Sequence, residues 1–430
     1  MAAPGAAPPE PPGPVEIDEP RAVADAPTTP DGDPDRGARS SLFWRVGFPV
    51  AMVVLVLLIP VLVLAGRDVV LHSSEGTAES RVTDPAAPGF RALTDPTPTL
   101  LVLETGADGA LAGTTVLSLA NDTTGGVIFV PADTSPAAGQ PSLRATAASG
   151  TDAVRTAVET MVGAGISDTT EIPHDAWEDL VAPVAPLTLD NPDDVYVTAN
   201  GRRSLRFPRG QLSLAAADVA DFLFATDGDA SASTNLLVRH RLFWTAWLAA
   251  VGRADGDQAV PGEKDSGLGK FVRDLSVDRV ELATLPVQKV PIPGSVQALY
   301  LPIADQVQAT VARLIPFPIG APPGSRIRIE LLDGTGELDH GVVAAPVLVQ
   351  ANGQIDLVGN AAGFGQPTTK LEYRDEARRA EVDRLREALG VGEVVATNDP
   401  GGTADVTITL GQDYVTSGRR TAGTTPTTGG

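Results

Sequence analysis

From Val46 to Gly66 the chain reads VGFPVAMVVLVLLIPVLVLAG, an apolar run with no charged residue. A helix needs about 20 such residues to cross a hydrocarbon layer roughly 30 Å thick, so the pattern predicts a single transmembrane helix over residues 43–66. Pro49 and Pro60 lie inside it; membrane helices tolerate proline where the freed carbonyls find other partners. A cleaved signal peptide would be shorter and nearer the N-terminus. Arg36, Arg39 and Arg45 precede the run and only Arg67 follows closely. The positive-inside rule therefore puts the N-terminus in the cytoplasm and the later domains outside the cell. Residues 1–42, rich in Pro, Ala, Gly and Asp, lack the large apolar side chains that would offset ordering and are expected to form a disordered arm. Residues 67–96 are polar and proline-bearing, the pattern of a stalk.

Beyond the stalk the period changes. Leu100–Leu103 suits a strand, and Thr114–Leu119 and Val127–Val130 flank a turn-forming NDTTGG cluster as a hairpin would. Val154, Val158 and Met161 recur at helical spacing over Thr151–Val162, with Thr151 or Asp152 as cap. Ser213–Phe224 and Leu236–Val251 read as two further helices, and Val277–Leu282 as a late strand. Strands alternating with helices predict an α/β layered domain over residues 97–314. The stretch IPFPIGAPPGS at 315–325 reads as a linker. After it, Arg326–Leu332 alternates as a strand with Ile327, Ile329 and Leu331 on one face. An apolar segment at Gly341–Ala351 predicts a helix starting near Pro346. Ile355–Val358 and Leu371–Tyr373 read as strands. Arg374–Leu389 reads as a helix with Val382, Leu385 and Leu389 on one face, and Val394–Val395 and Val406–Leu410 close the set. The order βαββαβ predicts a small α+β domain over 325–415, with a disordered tail at 416–430.

Composition narrows the chemistry. The chain has 43% apolar but only 4% aromatic residues, so its cores are mostly aliphatic. A net charge of −22 excludes a nucleic-acid binder, which needs a basic face to displace phosphate counterions. With no cysteine, disulfides, thiolate metal sites and cysteine nucleophiles are absent. The four histidines (His72, His174, His240, His340) lack metal-ligand spacing and read as surface or satisfied polar residues; His174-Asp175 are neighbours in sequence, which rarely face each other as a dyad. No nucleophile elbow, Walker A loop or dinucleotide fingerprint occurs. Arg202, Arg203, Arg206 and Arg209 form the most basic stretch. They are candidate ligand-binding residues for an anionic polymer, against the plainer reading of a solvated loop.

TTVLSL at 114–119, FVPADTS at 129–135, FPRGQLSL at 207–214 and VRHRLFWTAWL at 238–248, followed by Leu285-Pro286, resemble in order and spacing the LytR-CpsA-Psr family. Those extracytoplasmic enzymes move polyprenyl-linked glycopolymers onto peptidoglycan. The resemblance also shows what is changed. Thr114 stands at a metal-binding aspartate, Ala132 at the arginine of the Pro-Arg-Asp-Thr motif, Phe224 near a third family arginine and Leu236 at the first of two spaced arginines. Lost guanidiniums and a lost metal carboxylate remove the stabilisation that a diphosphate in transfer requires. The expectation is a domain without catalytic residues, metal or cofactor. The rival is an active phosphotransferase using Asp133, Arg239 and Arg241 with Mg²⁺.

IELLDGTG, VGNAAGF at 358–364, TKLEY at 369–373 and ADVTITLGQDY at 404–414 resemble the LytR C-terminal domain, a module with no catalytic motif of its own. With the single apolar run and an Ala/Gly/Arg-rich, Lys-poor composition that suggests an actinobacterium, the resemblances imply a single-pass envelope protein that serves as a scaffold or binds wall polymer or lipid-linked glycan. Its expected partners are the lipid bilayer through residues 46–66, such a polymer, and other envelope proteins.

Overall fold

The computed structural model describes residues 82–422, except 122–123, 200–201, 226–231, 255–257, 278, 293–297, 338 and 399–402. The expected arm, the transmembrane run and the first part of the stalk lie outside the described residues. Among those described, no helix is long and apolar enough to cross a membrane.

The strands are β1 (Arg91–Leu93), β2 (Thr99–Thr105), β3 (Leu111–Asn121), β4 (Thr124–Val130), β5 (Asp168–Ile172), β6 (Leu187–Asn191), β7 (Val195–Ala199), β8 (Arg202–Phe207), β9 (Gly210–Leu214), β10 (Arg279–Thr284), β11 (Val287–Pro291), β12 (Ala298–Pro302), β13 (Ile327–Asp333), β14 (Gly353–Asn360), β15 (Lys370–Tyr373), β16 (Glu393–Ala396) and β17 (Val406–Leu410). The helices are α1 (Leu143–Thr146), α2 (Thr151–Val162), α3 (Ala176–Val181), α4 (Val219–Phe224), α5 (Ala232–Arg253), α6 (Gly267–Val277), α7 (Ala304–Leu314), α8 (His340–Gln350), α9 (Arg379–Leu389) and α10 (Gln412–Ala422). The fold is mixed α/β.

In the first lobe a five-stranded sheet runs β10-β4-β3-β2-β5. Residues Thr99–Glu104 of β2 are all buried, the mark of a strand covered on both faces. On one face lies a core that includes Trp177, Phe243, Trp244, Trp247 and Leu275. On the other, Val154, Val158, Val307 and Val311 pack against Leu101 and Val116. The expected hairpin forms as β3 and β4, paired antiparallel. Gly125 lets α6 approach it closely, since a Cβ there would lie 2.1 Å from Leu275 Cδ2 and 2.8 Å from the Ser118 carbonyl.

Three local expectations shift. Helix α2 is capped by Gly150, at φ 98°, and not by Thr151 or Asp152. Ser213 and Leu214 end a strand paired antiparallel with β6, so the helix predicted from Ser213 begins only at Val219, after a short turn. Val277 closes a helix, and the late strand starts at Arg279, parallel to β4.

The second lobe carries a six-stranded sheet in the order β1-β14-β13-β17-β15-β16. Its first strand comes from the predicted stalk. Arg91–Leu93 pair antiparallel with β14, Asn360 donates to the Pro85 and Ala87 carbonyls at 2.8 Å, and Gly89 N–H donates to the Ala361 carbonyl. Unpaired edge groups on β14 favour such an added strand. Helix α8 starts at His340, ahead of Pro346, which lies inside it. Burial of Ala344, Leu348 and Val349 supplies the packing that sets helix length over local propensity. The predicted tail is entered by α10, which runs through Thr416 to Ala422.

The linker is pinned to both lobes. Phe317 exchanges hydrogen bonds with Thr97, Gly165 N–H donates to the Ile319 carbonyl, and Gly320 N–H donates to Gln354. Arg326, 1% exposed, donates to the carbonyls of Gly163, Val349 and Gly353 and to the Gln308 amide oxygen. Residues from Arg81 onward accordingly form one compact unit.

Candidate functional site

Adjacent strands β3 and β4 bring Thr114 beside Val130. The chain leaving β4 turns at Pro131, and α1 folds back so that Arg144 N–H donates to the Ala132 carbonyl. The first turns of α5 close the far side. Between them lies a narrow recess of about 20 Å³, lined by residues that include Gly113, Thr114, Ala132, Asp133, Arg144, Leu236 and His240. That is room for about one water molecule. Three of the four substituted positions, Thr114, Ala132 and Leu236, therefore converge with Asp133 at one site. Phe224 packs nearby against the His240 ring, centroids 5.9 Å apart.

The charges at this site are paired internally. Arg144 Nε donates to Asp133 Oδ1 at 2.9 Å, and its Nη1 donates to the Leu111 carbonyl. The residue paired with Asp133 is thus Arg144. Arg239, 8% exposed, donates to the Ala225 carbonyl and is not among the lining residues; Arg241 is exposed on α5.

Behind Gly113 sits a pair that the sequence did not announce. Glu104, fully buried, faces His240, 4% exposed, with Oε2 and Nε2 2.6 Å apart. Thr115 Oγ1 donates to Glu104 Oε1 at 3.2 Å. His240 Nδ1 lies 2.7 Å from the Leu236 carbonyl, which can only accept, so Nδ1 carries a proton. Burial pushes the imidazole down, but the Glu104 carboxylate outweighs it and the pKa ends raised. Nε2 and the Glu104 carboxyl share a hydrogen bond, and the raised imidazole pKa favours the charged form of the pair. Both ring nitrogens are engaged, which leaves neither free to act as a base on a ligand. The available signal was the glycine at 113: a Cβ there would lie 2.4 Å from Glu104 Oε2.

Mg²⁺, which the rival reading requires, does not fit this donor set. Asp133 is tied through Oδ1 to Arg144, Glu104 is tied to His240 and Thr115, and the Thr114 hydroxyl is buried without a hydrogen-bond partner. Mg²⁺ demands near-octahedral oxygen ligation. Among the described residues no cluster of three His, Asp or Glu side chains could hold a metal.

The four arginines of the basic stretch sit on or beside the β7–β8 ribbon. Arg206 pairs with Asp218, Arg203 stacks over Tyr196 at 4.0 Å, and Arg209 N–H donates to Asp194. His174 faces Asp221 at 3.7 Å, and His340 faces Glu337 at 3.1 Å. His72 lies outside the described residues.

Residues 326–414 match the family described as LytR cell envelope-related transcriptional attenuator, which bears out the resemblance read for 325–415. Similar solved structures include B. subtilis TagV, at 14% identity over 51% of this chain and 98% of that one, TM-score 0.42. Another is a LytR-Csp2A-Psr enzyme from Actinomyces oris, at 17% identity over 52% and 93%, TM-score 0.40. A third is TagT bound to LIIa-WTA, at 16% identity over 55% and 93%, TM-score 0.39. At these values the activities and ligands of those proteins remain theirs alone. No curated protein matches the chain.

Proposed function

We propose that this protein is a membrane-anchored envelope component whose first lobe is non-catalytic, acting as a scaffold or as a binder of wall polymer or lipid-linked glycan. The observation that carries the reading is the recess itself: about 20 Å³, with its charged groups neutralised by one another. A transferred phosphoryl group needs several cationic contacts and a metal ion. Here Arg144 and His240 already hold carboxylates, and Ala132 and Leu236 offer none. The envelope setting is supported by the match at 326–414 and by the sequence resemblance of the first lobe.

The expected result is that the purified chain releases no phosphate or pyrophosphate from polyprenyl-diphosphate glycans, with or without Mg²⁺. Metal-dependent turnover abolished by Arg239→Ala would replace this reading with the phosphotransferase. The anchor through residues 46–66 and the external placement of the lobes have their own test. Protease added to wall-stripped cells should degrade a C-terminal tag and spare an epitope placed before Ser41; a protected C-terminal tag sinks the topology.

A further inference from the structure

One edge of the first sheet is open. Among the described residues β5 pairs with β2 alone, in parallel, and Thr169 N–H donates to the neighbouring Asp168 carboxylate at 2.8 Å and not to a further strand. Alternate residues of a strand send their main-chain groups to the same side, so the Glu171 N–H and C=O also point out from this edge. An uncovered edge of this kind is a template for an added strand. A cavity of about 450 Å³ runs along it, within the size range of ligand sites. Glu171 and Ile172 of β5, with Asp179 and Leu180 of α3, form one wall, and Glu263 and Leu268, on the segment entering α6, form the other. That second wall stands clear of its surroundings: a Cβ at Gly262 or Gly267 would meet no atom within 4 Å.

Charge selects the occupant. Glu171 accepts from the Thr151 hydroxyl, and Glu263 accepts from the Ser266 hydroxyl at 2.7 Å. Among the described residues no cation is paired with Glu171, Asp179 or Glu263. Arg273, close to Gly269, donates instead to the carbonyls of Val260, Gly262 and Glu263. The carboxylates also stand on both faces of the edge. Asp179 and Glu263 lie on the side of Ile172, which joins the core with Trp177 and Phe271, whereas Glu171 turns to Thr151 of α2 on the other.

We infer that the free edge of β5 is a docking site for an extended basic segment of another protein. The segment adds a strand to the sheet, with adjacent Lys or Arg side chains facing Glu171 on one face and Asp179 and Glu263 on the other. Main-chain hydrogen bonds supply affinity, half-buried Leu180 and Leu268 offer apolar contact, and the carboxylates choose a basic partner. The site shares no lining residue with the recess, so it goes beyond the non-catalytic reading and does not depend on it.

The test is calorimetric titration of the full chain, in non-ionic detergent at low salt, with acetyl-Thr-Val-Lys-Lys-Val-Thr-amide. Wild type should bind it with a Kd below about 1 mM. The same peptide N-methylated at both lysines keeps its charge but loses the donors a strand needs, and should bind at least about tenfold more weakly. Glu171→Gln/Asp179→Asn/Glu263→Gln changes three exposed side chains, substitutions of a kind that leave a fold intact, and should weaken binding by at least about tenfold. Folded wild type that ignores the peptide overturns the inference. Equal binding of the N-methylated peptide overturns it too, because net charge alone would then explain the attraction. So does equal binding by the triple variant, which would move the contact off this edge. Metal-dependent turnover by wild type would overturn the proposed function and leave the docking site standing.

Discussion

Each lobe buries a basic side chain, and the two are held differently. In the first lobe His240 is matched to the Glu104 carboxylate. In the second, Arg326 meets no carboxylate among the described residues: three main-chain carbonyls and one amide oxygen take its protons. Burial lowers the guanidinium pKa only to about 10, so Arg326 stays charged throughout the physiological range. The His240 charge, by contrast, is one that a rise in pH removes. One lobe is therefore closed by a conditional charge and the other bolted by a permanent one. The placement fits the difference: His240 lines a recess, whereas Arg326 joins α2, α7, α8 and β14.

The largest effect that sharpens this contrast should come from His240→Ala. Removing one partner of a buried ion pair leaves the other uncompensated, typically about 3–5 kcal/mol. The folded-state pKa of His240 is raised, so its contribution is fully present below the unfolded value of about 6.5. It is lost as pH rises through the folded value. Measured against Glu104→Gln/His240→Ala, which strands no carboxylate, the wild-type margin in denaturant titrations should narrow from about pH 5.5 to 9. A margin flat in pH would mean that the imidazole gains no proton affinity on folding.

Arg326→Met should follow, at about 3 kcal/mol, since three buried carbonyls lose a donor and each orphan costs about 1–3 kcal/mol. Unlike the His240 margin, its penalty should be flat between pH 5.5 and 9. Because Arg326 ties both lobes, wild type should unfold in one transition, and separate transitions for the two lobes would break the comparison outright. The same contacts bear on excision of residues 320–416. Such a fragment lacks β1, whose Arg91 reaches Glu330 at 3.2 Å, and lacks Gln308 and Gly163.

Period and turn chemistry made much of this fold legible. Leu100–Leu103, the β3–β4 hairpin and the Val382, Leu385 and Leu389 stripe could be read because each is a local pattern with one burial solution. The contribution of Arg91–Leu93 to the second sheet was not legible. Three residues with alternating exposure carry no periodic signal, and their partner lies more than 260 positions away. The recess shows the same split. Thr114, Ala132, Asp133 and Leu236 could be marked as positions, yet their partners could not. Arg144 and Glu104 sit on elements whose approach depends on tertiary packing, and no spacing rule links Glu104 to His240 across |i−j| = 136.

The smallest effect should come from a pair at the margin of the second lobe. Arg328 Nη2 meets Asp405 Oδ1 at 3.0 Å, and Arg328 N–H donates to Oδ2 at 2.9 Å, with Arg378 at 3.7 Å. Burial pushes the Asp405 carboxyl up, but the bonds from Arg328 outweigh it and the pKa ends lowered. A depressed carboxyl contributes stability above its unfolded value of about 3.9, and that contribution is lost as pH falls through the folded value. The direction is opposite to that of His240. Because the arginine side chain is half-exposed, solvent screens the pair, and Asp405→Asn should cost less than about 1 kcal/mol at pH 7. Melting curves should show that difference shrinking below about pH 4 and in high salt. A loss as large as that of Arg326→Met would mean that the edge between β13 and β17, and not the central bolt, carries the stability of the second lobe.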